Sequence, residues 1–227
     1  MFTRDDQTVE DCLEVFEAIR DVGLTHLGFK DVGVDVRVLG RLNERIKECG
    51  GITHLEVVST TAEACLRSAR AAVEIGVDRL LGGTEVEPIL DILTGRGVAY
   101  YPFPGRPEGH PTLLGGSPED VAGDCQRFAR LGCAGVDLLA YRATEAAPLD
   151  LVRAARAATP GYLIVAGSVN TPARIRDLVA AGADAFTIGS AAFDGSFSPR
   201  KGLLVSQLRA IVAAARQPSR PRERPRP

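Results

Sequence analysis

Seven short apolar runs alternate along the chain with segments whose apolar residues recur every three or four positions. The runs are THLGFKD (25–31), ITHLEVVS (52–59), VDRLLGGT (77–84), VAYYPFPG (98–105), GVDLLAYR (135–142), YLIVAGSV (162–169) and AFTIGSA (185–191). Between them lie stretches such as TVEDCLEVFEAIRDVG (8–23) and TAEACLRSARAAVEIG (61–76), which carry a helical stripe and end in glycine. Strands alternating with helices imply a parallel sheet covered by helices. An eighth strand is placed at MFTRDD (1–6), ahead of a helix with Thr8 as its cap and Asp11 three residues on. Eight such units predict an α/β fold, a (βα)8 TIM barrel, as one domain over 1–216. The rival is an open doubly wound sheet, whose glycine-rich loop after the first strand is not found after MFT.

A faint repeat supports the barrel. Gly-apolar-(Thr/Asp) leads into a strand at Gly23-Leu-Thr, Gly76-Val-Asp, Gly135-Val-Asp and Gly182-Ala-Asp. These would be strands 2, 4, 6 and 8, at a spacing of two βα units.

Composition narrows the setting. The chain has 227 residues, 45% of them hydrophobic, enough for one sizeable core. A formal net charge of -2 argues against a general nucleic-acid binder. No apolar run approaches the ~20 residues that span a bilayer, and the polar, acidic start does not read as a secretory signal. The five cysteines form no CxxC pair and are read as reduced thiols of a cytoplasmic protein. No metal site and no cofactor is expected. From Gln217 the chain reads QPSRPRERPRP, expected to be a disordered basic tail over 217–227.

Two of the runs end alike, at Gly167-Ser168 and Gly189-Ser190. On the eight-strand count these are the ends of strands 7 and 8, where many barrels hold a phosphate. Glycine lets backbone approach an anion, and serine adds a hydroxyl donor. The four residues are therefore expected to bind phosphate, although Gly-Ser also makes plain strand–helix turns.

The stretch VAGSVNTPARIRDLVAAGADAFTIGSAAF resembles the C-terminal quarter of the ribulose-phosphate-binding barrel superfamily. The strong part covers about thirty residues. The whole chain also resembles small bacterial barrels labelled 4-hydroxythreonine-4-phosphate dehydrogenase. The superfamily resemblance implies a small phosphorylated substrate. It does not supply the reaction. The superfamily's epimerases of mannosamine phosphate carry their lysine and glutamate on other strands. The Asp-x-Lys-x-x-Asp run of its decarboxylases lacks its leading aspartate at Lys30-Asp31-Val-Gly-Val-Asp35.

Catalytic groups of a barrel sit where strands end. Strand alternation puts Lys30 and Glu56 inward on neighbouring strands. A cation beside a carboxylate in a half-buried pocket suits proton transfer next to a carbonyl, although a structural ion pair has the same signature. Arg142 and His110 are further catalytic candidates. Arg4, Asp5, Gly83 and Arg106 are substrate-binding candidates, and the loop around His110 has the length of a lid. The reading is a metal-independent isomerase or epimerase of a small phosphorylated sugar or sugar acid, working through an enolate. An aldolase or decarboxylase using Lys30, and a non-catalytic phospholigand-binding barrel, stay open. The expected partner is the phosphorylated substrate, with neither nucleic acid nor membrane; self-assembly into a homo-oligomer is left open.

Overall fold

The computed structural model describes residues 1–216. The tail expected over 217–227 lies outside the described residues. The chain starts with a two-strand hairpin, β1 (Thr3–Arg4) and β2 (Gln7–Thr8). The wall then forms from two parallel sheets. One is β3 (His26–Lys30), β4 (Ile52–Glu56), β5 (Arg79–Leu81) and β6 (Ala99–Tyr101), paired in that order. After a second hairpin, β7 (Arg106–Glu108) and β8 (Leu113–Gly115), comes the other: β9 (Gly135–Leu138), β10 (Tyr162–Val165) and β11 (Ala185–Phe186). The helices, in chain order, are α1 (Cys12–Ile19), α2 (Val36–Glu48), α3 (Ala62–Ile75), α4 (Val86–Leu93), α5 (Pro118–Arg130), α6 (Pro148–Ala158), α7 (Pro172–Ala181), α8 (Ser190–Phe193) and α9 (Leu204–Arg216).

Two seams close the wall into a barrel. Ala134 and Asp137 N–H groups donate to the Tyr100 and Pro102 carbonyls at 3.0 Å each, joining β9 to β6. Across the other seam, the Met1 amino nitrogen donates to Ile188 O at 2.8 Å and Phe2 N–H to Gly28 O at 2.6 Å. Residues 1–2 thus occupy the eighth position with one bond to each side. The expected first strand is there, but it turns away at once, because Thr3–Arg4 pairs with Gln7–Thr8 instead of with the barrel. Thr8 is not a helix cap. Its hydroxyl accepts from Lys30 N–H at 2.8 Å and donates to Lys30 O at 2.7 Å, and Asp11 is the residue that precedes α1.

Strand alternation sorts the core. Phe29, Leu55, Leu80, Val136 and Leu163 are fully buried between wall and helices. Leu81, Tyr101 and Ile164 meet in a separate, small cluster inside the barrel. The helix starts carry the expected chemistry. Thr171 caps α7 by accepting from Arg174 N–H at 3.2 Å with Pro172 next, and Ser117 and Asp120 form a capping box on α5.

The repeat needs one correction. Gly23, Gly76 and Gly182 are left-handed glycines just before a strand, but in the third copy that role belongs to Gly132 (φ 87°). Hydrogen bonding agrees. Ile52, Ala99 and Tyr162 N–H groups donate to the carbonyls of Thr25, Asp78 and Ala134. Ala134 is therefore the counterpart of Asp78 and Asp184, and Asp137 sits three residues deeper. Asp78 and Asp184 stay outside the strands, accepting from Thr53 and Leu163 N–H at 2.7 and 2.8 Å.

Gly135 is where β9 and β10 come closest. A Cβ there would overlap the Tyr162 backbone. Gly135→Ala must part the two strands and is expected to cost about 3 kcal/mol or more. Urea unfolding checks this, through a lower midpoint at unchanged slope.

Candidate active site

The C-terminal ends of the strands surround a cavity of about 240 Å³. Its walls bring together Lys30, Glu56 and Arg142 with Gly167, Ser168, Gly189 and Ser190. All seven were expected from the sequence. Asp6, from the end of the expected first strand, joins them in the cavity wall.

Asp6 is placed by the first hairpin. The two residues between β1 and β2 are Asp5 (φ 51°) and Asp6 (φ 59°), the positive pair of a two-residue turn matched to strand twist. Aspartate tolerates that backbone better than most residues. The turn tips Asp6 into the barrel mouth while Arg4 and Asp5 stay exposed outside the cavity. Thr8, one step on, clamps the hairpin to the backbone of Lys30.

Lys30 ends β3 and pairs in register with Glu56, which ends β4. Its side chain is only 5% exposed. The ammonium lies 2.8 Å from Asp6 Oδ1 and 3.1 Å from Glu56 Oε1. Burial alone would lower the lysine pKa, but Glu56 and then Asp6 outweigh it, so the pKa is raised and Lys30 holds its proton. Arg142 ends the short turn Ala140–Arg142 that follows β9. It grips Asp6 with both terminal nitrogens at 3.1 Å each and donates to Thr112 O at 3.3 Å. Burial pushes Asp6 up, yet its bonds to Arg142 and Lys30 bring it down to about 2. Arg142 lies along Gly167, where a Cβ would come within 2.5 Å of Nε. That glycine, at φ 74°, is needed for backbone and for space.

Beneath this cluster is Asp137, the deeper residue of the third repeat. It is fully buried, and neither carboxylate oxygen has a hydrogen-bond partner among the described residues. Its strand register sets it beside Ile164 of the apolar interior. Burial raises its pKa well above the usual carboxylate value and Glu56 adds to that, against weaker opposition from Lys30 and Arg142. Burial therefore favours the protonated form of Asp137. Above it, Lys30 and Arg142 face Asp6 and Glu56.

The Gly-Ser side of the cavity supplies neutral donors. Gly167, Ser168 and Gly189 N–H groups donate to no backbone carbonyl among the described residues. Ser168 is held at φ 56° and Gly189 immediately precedes α8. Gly189 also backs onto the first hairpin, where a Cβ would meet Thr3. Ser190 Oγ accepts from Asp5 N–H at 3.2 Å.

The remaining candidates lie outside the cavity walls. Gly83 is buried against Ile89 and Tyr100. Arg106 is exposed and bound to Glu145 at 2.7 Å and Asp120 at 3.4 Å. His110 is exposed at the tip of the β7–β8 hairpin. The expected lid is this hairpin, fastened to the barrel by Thr144 N–H to Leu114 O at 3.0 Å and reaching the site only through Thr112.

No protein-family model matches the chain. It is 35% identical over 102 residues to an inosine-5'-monophosphate dehydrogenase of Chlorobaculum tepidum, a match covering 42% of this chain; the chain spans about a fifth of that relative's length (20%). Among solved structures, a native KDPGal structure superposes with a TM-score of 0.67 at 15% identity, covering 92% of this chain and 90% of that one. The orotidine 5'-phosphate decarboxylase of Pyrococcus horikoshii OT3 gives 0.64 at 14%, over 90% and 93%. An N-acetylmannosamine-6-phosphate 2-epimerase from Clostridium perfringens gives 0.61 at 12%, over 87% and 86%. The likeness to these structures is one of fold, the (βα)8 barrel.

Asp137 generates a pH prediction. At low pH both folded and unfolded chains hold its proton. Above the ordinary value of 3.8 the unfolded chain releases it and the folded chain does not, so wild type loses stability as pH rises. Asp137→Asn removes this effect. Its stability relative to wild type should improve by up to about 1.4 kcal/mol per pH unit above that value. Calorimetric melts from pH 4 to pH 8 measure it; a pH-independent difference would mean that Asp137 is ionised in the fold.

Proposed function

We propose that the barrel is a phosphosugar enzyme of the ribulose-phosphate-binding type, an isomerase or epimerase that works through an enolate. The observation carrying this reading is one cavity that holds both the Lys30–Glu56 pair and the two Gly-Ser turns. The names of the similar proteins lend support: inosine-5'-monophosphate, orotidine 5'-phosphate and N-acetylmannosamine-6-phosphate are all phosphate monoesters.

In this proposal the phosphate sits against Gly167-Ser168 and Gly189-Ser190. The two cations of the site are already matched by carboxylates, so backbone N–H groups and hydroxyls carry the phosphate. The substrate carbonyl points to Lys30. Glu56 takes the proton from the neighbouring carbon, and the electron pair of that C–H bond becomes the enolate. The Lys30 ammonium hydrogen-bonds the enolate oxygen. Return of the proton to the former carbonyl carbon, with the hydroxyl proton of the neighbouring carbon passing to the enolate oxygen, completes an isomerisation; return to the opposite face of the same carbon completes an epimerisation. Asp6, itself held by Arg142, keeps Lys30 in place and favours its charged form. No step calls for a metal or a cofactor.

A carbon–carbon lyase is the second reading, favoured by the fold likeness to the KDPGal and decarboxylase structures. A Schiff base needs a neutral lysine, and the carboxylates around Lys30 oppose that.

Sugar monophosphates incubated in D2O and followed by NMR test the proposal. Wild type should wash deuterium into the carbon next to the carbonyl. Glu56→Gln and Lys30→Met should each cut the rate by ~10²–10⁴. Exchange at the wild-type rate in Glu56→Gln would remove the base. A borohydride-trapped adduct on Lys30 would favour the lyase, and binding without turnover in wild type would favour a phospholigand-binding barrel.

A further inference from the structure

A larger cavity, about 460 Å³, opens at the opposite end of the barrel. Its polar wall is built from residues at or near the starts of strands: His26, His54, Arg79 and Tyr162. Leu81 and Ile164 form its roof, and Leu208 and Ile211 of α9 form one side. Its size falls within the usual range for small-molecule sites, and its walls are apolar with a few convergent polar groups.

Arg79 is the decisive residue. Its guanidinium lies between two aromatic rings, 5.6 Å from the centroid of Tyr101 and 5.5 Å from that of Tyr162. It has no carboxylate partner among the described residues, because the adjacent Asp78 is turned to Thr53 and Lys47. A half-buried cation without an anion is costly, and stacking on aromatic faces recovers only part of that cost. The flanking imidazoles do not share the charge. His26 Nδ1 and His54 Nε2 are 3.0 Å apart, within hydrogen-bond distance of each other. Burial and the neighbouring cation hold His26 below its usual value; burial, His26 and Arg79 bring His54 down to about 3. The Met1 amino group donates to Ile188 O, and burial lowers its pKa to about 6. One unpaired cation in apolar walls calls for one negative charge on an apolar body. A phosphate dianion, which wants several donors, fits the other end of the barrel better.

We propose that this cavity is a second ligand site, which binds a small monocarboxylate with its carboxylate on Arg79 and its apolar body against Leu81, Ile164 and Leu208. The site lies across the barrel interior from the phosphate side and does not depend on the catalytic reading.

Titration calorimetry on the full chain tests it, with 4-phenylbutanoate as probe and 4-phenylbutanamide as its uncharged control. The carboxylate should bind at one per chain, and the amide about tenfold more weakly or less. Arg79→Met should weaken the carboxylate by about tenfold or more while leaving the amide unchanged. Leu208→Trp, on the helix and clear of the barrel wall, fills the cavity and should abolish binding of both. Excess inorganic phosphate should leave probe affinity unchanged. The proposal is overturned if wild type does not bind the carboxylate, if the amide binds equally well, if folded Leu208→Trp binds like wild type, or if phosphate displaces the probe. Should Arg79→Met fail to fold, the amide control and Leu208→Trp decide the outcome.

Discussion

A lysine ammonium that is almost out of water must have its charge answered at once, and much of the barrel mouth is organised around that demand. Glu56 answers through the strand register, which sets it directly beside Lys30. Asp6 answers through a turn that bends two consecutive residues into the left-handed region. Asp6 then needs a second cation, because it too is mostly buried, and Arg142 supplies both nitrogens. Arg142 can reach only by lying flat on Gly167. Removing any one partner leaves another buried and uncompensated, which is why such clusters are far costlier to break than to do without.

The same accounting explains the division of the cavity. The charged half is internally neutral, so it offers an incoming anion little net attraction. The neutral half offers unbonded N–H groups on two strand ends. On the proposed reading, a phosphorylated molecule would meet a neutral donor wall and a charged wall in one pocket. Beneath it, burial in the apolar interior raises the Asp137 pKa, which disfavours a further negative charge there.

Much of this was legible in the sequence, for identifiable reasons. Period-two alternation put Lys30 and Glu56 on the inner face, because both end regular strands. The two Gly-Ser pairs were visible because strand ends at known positions of a barrel have a known use. Asp6 was visible only as one of three polar residues ending the first strand, and its place beside Lys30 was not, because that place depends on a hairpin of two-residue strands, too short to leave a periodic signal. Asp137 was masked by a false alignment. The Gly-Val-Asp at 135–137 mimics the Gly-Val-Asp at 76–78, and only the left-handed Gly132 upstream shows that the register starts three residues earlier. Arg106 and His110 were singled out for their chemistry in a long loop, but the loop folds into its own hairpin and carries both away from the cavity. The buried Arg79–Tyr stack at the other end carries no motif at all, since it joins residues from three separate strands.

The seam between residues 1–2 and residues 28 and 188 has a consequence for the making of the protein. Ribosomes deliver the chain from its N-terminal side, so Asp6 leaves the exit tunnel long before the carbonyl of Ile188 that holds the strand beside it. During that interval β3 and β4 can pair, but the opening edge of the wall has nothing to close against. Lys30 therefore meets Glu56 early, whereas Arg142, Gly167 and the last strand arrive in turn. A nascent chain halted just before residue 188 would carry all four charged residues of the cluster but still an open edge strand, the form in which parallel sheets are most exposed to unwanted pairing.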